Sequence, residues 1–204
     1  GMYDRIPAIQ QKDEFVVDLT RSIDDPSFTV ETDDDVRELL RDLVGFYVIM
    51  EGIFFYAGFA MMLALKRRGK MVGVGEQFEY IMRDESLHLN FGVDLINTIR
   101  EEHPGVWTDE FEAEIDELIR EAVELESTYA EEACPPDLMG MSAEGFVEYV
   151  EYIADRRLTQ LGMDERFDTE NPFPWMSEAV DLNREANFFE RQVTEYQSGG
   201  SLDW

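Results

Sequence analysis

One stretch of the chain constrains its fold more than any other: residues 46–65, twenty positions that carry a single charge, Glu51. A run of this length could span a bilayer, and three basic residues follow it. However, a carboxylate inside a bilayer is costly, and the sequence has no second apolar span to shelter it. We therefore interpret the run as the central helix of a soluble helical protein, buried by its neighbours. Its small residues would allow those neighbours to approach closely: Gly52, Ala57, Gly58 and Ala60.

Charge and composition exclude several classes of protein. The 204 residues include 46 acidic and 17 basic ones, which gives a formal net charge of −29. A polyanion is repelled by nucleic acids and by anionic membrane surfaces, so we expect neither as a partner. A hydrophobic share of 44% is too high for a disordered acidic chain. The single cysteine, Cys134, excludes an internal disulfide and favours a reducing, cytoplasmic compartment.

The rest of the sequence also predicts helices. Apolar periodicity and capping signals indicate helices over residues 3–24, 32–68, 74–102, 108–134 and 142–162. Residues 163–178 contain two prolines and are predicted to be irregular. No segment of useful length has the period of a strand. The predicted fold is therefore an all-α bundle.

The residues that carry chemistry lie on two of these helices. Glu51 stands alone in its apolar helix, where a carboxylate must be protonated, paired with an arginine or bound to metal. On the next helix, Glu85 and His88 are three residues apart and therefore share one face. A Glu-x-x-His helix that faces a single-glutamate helix is half of a ferritin-like dinuclear site. A chance Glu-x-x-His beside a structural glutamate is the alternative, and the conjunction favours metal.

The ligand count is incomplete. A full dinuclear site needs four carboxylates and two histidines. The sequence supplies Glu51, Glu85 and His88, and the second histidine, His103, has arginine rather than glutamate three residues before it. The chain therefore encodes half of such a site, and its oxygen-rich ligands suit iron or manganese better than zinc or copper.

Several motifs in the same order resemble one known family. These are MEGIFFYAGFA at 50–60, RDESLHL at 83–89, NPFPWM at 171–176, NFFE at 187–190 and VTEY at 193–196. Together they resemble the C-terminal portion of the small, radical-generating subunit of class I ribonucleotide reductase. The resemblance implies a ferritin-like helical bundle that is incomplete at its N-terminus. It also implies a dinuclear iron or manganese/iron centre, which activates oxygen and stores an oxidising equivalent for deoxyribonucleotide synthesis.

The resemblance implies a role for individual residues. Glu51, Glu85 and His88 match metal ligands, and Asp84 matches an aspartate associated with radical transfer. Tyr196 matches the tail tyrosine that passes the radical to the large subunit, on which the C-terminal tail docks. Three further residues match an apolar pocket beside the metal site: Phe55, Phe59 and Ile81.

Two parts of the chain are expected to differ in role. Residues 2–178 are predicted to form the helical bundle portion with half of the metal site, and residues 179–204 a C-terminal segment and flexible docking tail. Two copies of the chain would supply a complete ligand set, so we expect a homodimer that pairs the faces carrying Glu51 and His88. A separate N-terminal polypeptide could fill the same gap. The other readings are a ferritin-like di-metal oxidase and a metal-free, non-catalytic fragment.

Overall fold

The computed structural model describes residues 6–22, 25–134 and 142–176, and within these ranges the chain is helical and has no strand. The prediction of an all-α bundle is confirmed. In chain order the elements are α1 (Pro7–Leu19), α2 (Asp33–Leu43), a π-helix (Val44–Phe54), α3 (Phe55–Arg67), α4 (Val72–Glu102), α5 (Asp109–Ala133) and α6 (Ala143–Gln160).

A continuous helical rod formed by α2, the π-helix and α3 is the axis of the bundle. It begins at a capping box, in which the Thr32 hydroxyl accepts from the Asp35 backbone N–H and the Asp35 carboxylate accepts from the Thr32 N–H. It ends after Lys66 and Arg67, with Gly69 in the left-handed region at φ 68°. The rod is 35 residues long and apolar enough to cross a membrane, but 67% of its most apolar window is buried inside the protein. That burial agrees with a core helix.

The middle of this rod is not the regular α-helix that the sequence predicted. Residues Val44–Phe54 form a π-helix, in which backbone hydrogen bonds join residues five apart rather than four apart. Glu51 lies in this segment. Such segments occur frequently at functional sites, and apolar periodicity does not distinguish them from α-helix.

Other helix ends differ from prediction by a few residues. Helix α1 ends at Leu19 rather than near residue 24, because residues 20–22 form a turn. Helix α4 begins at Val72, two residues earlier than predicted, after Met71 in the left-handed region at φ 48°. Within residues 163–176 the chain is irregular apart from one helical turn at 174–176, as expected. The Asp155 carboxylate holds this segment by accepting from the backbone N–H groups of Arg166 and Phe167.

Helix α4 packs closely on the π-helix, and two glycines make this possible. A Cβ atom on Gly92 would lie 2.2 Å from Cγ of Tyr47, so no larger residue fits without moving the helices apart. A Cβ on Gly52 would lie 3.0 Å from a methyl carbon of Leu89. The predicted close approach at Gly52 is therefore confirmed. At Gly58 the prediction is wrong, because no described atom lies within 4 Å of the Cβ position.

One side of the bundle leaves large apolar side chains in solvent. Phe46 and Phe55 on the central rod and Ile81 and Phe91 on α4 are each at least one-third exposed, and we call these four residues the open face. Most of residues 46–65 is nevertheless buried. This agrees with the interpretation of the run as a central helix that its neighbours bury, since α4, α5 and α6 cover it.

A buried ion pair joins the first helix to the core. Glu126 on α5 is fully buried, and its carboxylate is paired with the ammonium of Lys12 on α1. The Lys12 ammonium also lies over the rings of Phe54 and Tyr129, 4.6 and 4.3 Å from their centroids. Burial raises the pKa of Glu126 to about 7, against the opposing effect of Lys12.

This pair predicts a specific dependence of stability on pH. The folded pKa lies above the ordinary value of 4.5, so between these two pH values the folded chain holds a proton that the unfolded chain has lost. The contribution of Glu126 to the free energy of unfolding therefore falls as the pH rises toward 7, by about 3 kcal/mol at most. We expect wild type to lose stability relative to Glu126→Gln between pH 5 and pH 8, measured by urea unfolding.

Glu124→Gln is the matched control, since Glu124 lies on the same helix but is mostly exposed and pairs with Arg120 at the surface. The difference in the free energy of unfolding between Glu124→Gln and wild type should stay constant over this pH range. Parallel pH profiles for wild type and Glu126→Gln would contradict the prediction.

Candidate metal site

Glu51 is a buried acid with an unsatisfied oxygen. Its position in the π-helix points the carboxylate toward α4, and the residue is only 6% exposed. Within the described part of the chain, its Oε2 atom has no hydrogen-bond partner. Burial raises the pKa of Glu51, the nearby Glu85 carboxylate raises it further, and His88 opposes both effects. A buried carboxylate beside a second acid is stabilised when a cation is brought next to it.

Helix α4 brings two more ligand-type side chains to the same point. His88 Nδ1 lies 3.2 Å from Glu85 Oε2 and 3.8 Å from Glu51 Oε1. One ligand atom from each of Glu51, Glu85 and His88 lies within 4.8 Å of the other two. The convergence predicted from the spacing of these residues is confirmed. The reason is geometric: Glu85 and His88 share a face of α4, and that face meets the buried side of the π-helix.

The arrangement fits a divalent cation. Ligand atoms around one ion, with bonds of about 2.0–2.2 Å, lie at most about 4.4 Å apart, so a small inward movement of the side chains suffices. An ion there would satisfy Glu51 Oε2 and neutralise the repulsion between the two carboxylates. His88 remains accessible, since its side chain is 58% exposed. Among the described residues, these three are the complete set of clustered ligands.

The three residues of the predicted apolar pocket do not share one environment. Phe59 is buried, and its ring contacts Phe55, Tyr56 and Phe78 with centroids 5.7–6.1 Å apart. Phe55 and Ile81 belong to the open face and are 36% and 42% exposed. Phe55 lies four residues after Glu51 and Ile81 seven before His88, which puts both side chains on the face of the candidate site. Only part of an enclosing pocket is therefore built by these residues.

Of the residues predicted to carry a radical, Asp84 makes other contacts and Tyr196 lies outside the described ranges. Asp84 is exposed on α4 and accepts hydrogen bonds from the Arg83 guanidinium at 3.2–3.3 Å. In the described chain it makes no hydrogen bond with Glu51, Glu85 or His88. Tyr196 and the predicted docking tail, residues 179–204, lie outside the described residues, as does the tail flexibility expected beyond Phe189.

Sequence reasoning missed two residues that contact the positions directly after Glu51 and Glu85. Arg157 on α6 is buried and donates from Nε to the Gly52 carbonyl, 2.9 Å away. Tyr56 is buried on the inner side of α3, and its hydroxyl lies 3.2 Å from Ser86 Oγ. The only sequence signal was Gly52 directly after Glu51, since a glycine at that point allows a side chain to reach the backbone. A buried arginine 105 residues away gives no such signal.

Comparison with known proteins agrees with this geometry. The family model described as "Ribonucleotide reductase, small chain" matches residues 1–172. The ribonucleoside-diphosphate reductase subunit beta of Chlamydia pneumoniae is 51% identical over 202 residues, which is 99% of this chain and 58% of that protein. The small subunit of Dictyostelium discoideum is 37% identical over 96% of this chain and 51% of its own length. The chain thus spans a little over half the length of these relatives.

Solved structures have the same fold. A class I ribonucleotide reductase from Bacillus halodurans superposes with a TM-score of 0.77 at 26% identity, over 87% of this chain and 61% of that one. The R2 subunit from Clostridium botulinum gives a TM-score of 0.76 at 24% identity, over 88% of this chain and 55% of its own. The bundle is therefore the ferritin-like helical bundle of these proteins. The chain belongs to the ribonucleotide reductase small-chain family.

Proposed function

We propose that this chain contributes half of the dinuclear metal centre of a class I ribonucleoside-diphosphate reductase small subunit. The observation that carries the proposal is the convergence of Glu51, Glu85 and His88 around an unsatisfied, buried carboxylate oxygen. The family membership supplies the reaction: formation of the radical that is needed to reduce ribonucleotides to deoxyribonucleotides. The chain spans little more than half of its relatives, and activity in isolation is not part of the proposal.

The ligand set favours a dinuclear iron or manganese/iron centre. Two carboxylates and one imidazole form an oxygen-rich site of the kind that suits iron and manganese. Glu51 and Glu85 would bind through carboxylate oxygens, and His88 through Nδ1, the ring nitrogen that faces both acids. The metal pair, when bound, supplies the activation of oxygen and the stored oxidising equivalent. Phe55, Phe59 and Ile81 would limit the access of water, and Asp84 would assist radical transfer.

Metal binding by the purified chain tests this proposal. We expect one Mn²⁺ ion to bind per chain in equilibrium dialysis, with Mn²⁺ measured by electron paramagnetic resonance. Glu51→Gln and Glu85→Gln should each weaken binding at least about tenfold, since even the loss of an outer-shell partner has an effect of that size. Glu51→Gln should also raise the thermal stability of the metal-free chain, because it removes a buried carboxylate that has no cation.

Asp94→Asn is the control, an exposed acid on the same helix, and it should leave Mn²⁺ binding unchanged. A wild-type chain that binds no metal would favour the metal-free, non-catalytic fragment. Metal binding that survives Glu51→Gln, together with a loss of stability, would make Glu51 a structural residue. A ferritin-like di-metal oxidase would bind metal in the same way. Docking of the C-terminal tail on a large subunit distinguishes the two proposals.

The tail is proposed to dock on the ribonucleotide reductase large subunit, with Tyr196 passing the radical across the interface. We expect deletion of residues 197–204 to weaken binding to the large subunit at least about tenfold in calorimetry, because the deletion removes the Leu202 and Trp204 anchors. Tyr196→Phe keeps the anchors and should bind normally. Equal binding by the full and shortened chains would reject the docking role and favour the oxidase.

We further propose a homodimer that pairs the open faces of two copies. A dinuclear site needs four carboxylates and two histidines, which two copies of Glu51, Glu85 and His88 supply. Exposed aromatic and aliphatic side chains around the half-site support such a contact, since large exposed apolar patches mark interaction surfaces. A two-fold axis through this face would make the interface isologous.

Sedimentation equilibrium of the purified chain tests the dimer. We expect twice the chain mass of 23.7 kDa, and Phe91→Asp should shift the protein to monomer by placing a charge in the apolar contact. Val17→Asp is the control, since Val17 is 64% exposed on α1 and outside the open face. A monomeric wild type would reject the homodimer in favour of a separate N-terminal polypeptide. A dimer that Phe91→Asp leaves intact would also reject it.

The setting proposed for this protein is the cytoplasm. The lone cysteine, Cys134, is buried and has no second cysteine in this sequence with which to form a disulfide, which suits a reducing compartment. A net charge of −29 disfavours nucleic acid and anionic membrane surfaces as partners.

A further inference from the structure

One buried arginine is linked by contacts to the residues that directly follow both glutamates of the candidate site. Arg157 on α6 is 3% exposed, and its Nε donates to the Gly52 carbonyl at 2.9 Å. Gly52 directly follows Glu51. A Cβ atom at position 52 would lie 3.1 Å from this Nε, so the absence of a side chain there is what allows the guanidinium to reach the backbone.

The same guanidinium is linked to the other carboxylate through Tyr56. Its central carbon lies over the Tyr56 ring, 4.9 Å from the centroid. The Tyr56 hydroxyl lies 3.2 Å from Ser86 Oγ, and Ser86 directly follows Glu85. Ser86 donates its own hydroxyl proton to the Met82 carbonyl at 2.7 Å, so it accepts from Tyr56. Each ligand-bearing helix is thus held at the residue immediately after its glutamate.

The π-helix makes this support necessary. The Gly52 carbonyl lies in the last turn of the segment, close to the point where the rod returns to α-helix at Phe55. Backbone groups near such a transition bond less regularly, and an inserted side chain can hold the local bend. A charged donor to a carbonyl forms a stronger hydrogen bond than a neutral one. Arg157 therefore fixes the backbone where the helix that carries Glu51 is least regular.

The electrostatics of Arg157 argue against a simple ion pair. Its Nη1 donates a further hydrogen bond to Gln160 Oε1 at 2.9 Å, and among the described residues no carboxylate is paired with it. A buried cation without an acid costs stability. Its contacts with the Gly52 carbonyl and the Tyr56 ring instead hold those two groups in place.

We propose that Arg157 is a positioning residue that sets the separation of Glu51 and Glu85, acting through the Gly52 carbonyl on one side and through Tyr56 and Ser86 on the other. The inference deepens the proposed metal site and rests on it. Arg157 need not touch a metal ion. Its effect is to hold two acids, which would otherwise repel each other, at the spacing that one ion requires.

The first test measures metal binding and the electronic environment of the bound ion. Arg157→Met should lower Mn²⁺ affinity by about 10–100-fold, the effect typical of residues that orient ligands. It should also change the visible spectrum of bound Co²⁺, which reports ligand geometry and does not respond to global stability. Arg157→Lys keeps the charge but loses the planar donor, and should restore affinity only in part. Tyr56→Phe keeps the ring, loses the hydroxyl and should produce a smaller change of the same kind.

Arg156→Met is the matched control. Arg156 is the next residue on α6, is exposed and lies over the Tyr152 ring, so its loss should leave both affinity and spectrum unchanged. The proposal is overturned if Arg157→Met lowers only the melting temperature, with affinity and Co²⁺ spectrum as in wild type. It is also overturned if Arg156→Met has an equal effect. Should Arg157→Met not fold, Arg157→Lys and Tyr56→Phe decide by the same criteria.

The second test needs no metal and separates this inference from the proposed function. In the metal-free chain, Arg157→Met should increase amide hydrogen exchange selectively in residues 50–58 and around Ser86, relative to α5. A uniform increase in all helices would reject the positioning role, whether or not the chain binds metal. If Arg157→Met shows the selective increase but the wild-type chain binds no metal, Arg157 is retained as the residue that holds the two helices. In that case only the metal site is rejected.

Discussion

The burial of the Glu51 carboxylate is the constraint on which the rest of the structure depends. An acid in the most apolar segment of the chain is stable only if the fold brings a compensating group to it. The described structure brings a second acid and an imidazole to the same point, with one oxygen of Glu51 left without a hydrogen bond. That combination is unfavourable for a protein core and favourable for a cation site. In the proposed metal site, this loss of stability would be offset when a cation binds.

The bundle is arranged around this point. The rod formed by α2, the π-helix and α3 is apolar through its middle, and α4 packs against it at glycines so closely that the two helices share one interface. The wider turn of the π-helix changes the direction of side chains in its segment relative to an α-helix, and Glu51 lies within it. Helix α6 also reaches the rod next to this interface, where Arg157 donates to the Gly52 carbonyl.

Three of the buried charged residues are accommodated in three different ways. Glu126 has an ammonium partner, Lys12, which itself is shielded by two aromatic rings. Arg157 has a carbonyl and an aromatic face but, among the described residues, no acid. Within the described ranges, the groups next to Glu51 are a second acid, Glu85, and the His88 imidazole. The first arrangement joins two helices, the second is the one proposed to position a backbone, and the third is the one proposed to bind an ion.

The sequence by itself determined the elements and the chemistry that are local along the chain. Helix periodicity, the Thr32 capping signal and the stop after Lys66 depend on neighbouring residues, and these predictions hold to within a few residues. The three-residue spacing of Glu85 and His88 likewise fixes their common face without reference to the rest of the fold. Glu51 was recognisable because a single charge in twenty residues is anomalous wherever the helix packs.

Tertiary structure alone decided what depends on contacts between distant segments. The π-helix could not be read from apolar periodicity, because the same apolar residues would also suit an α-helix. The support by Arg157 joins residues 105 positions apart, and the pairing of Lys12 with Glu126 joins the first helix to the fifth. Gly58 appeared equivalent to Gly52 in the sequence, yet only Gly52 is approached by another helix. Local patterns report which face a residue occupies, whereas the neighbour that meets that face is set by how the whole chain folds.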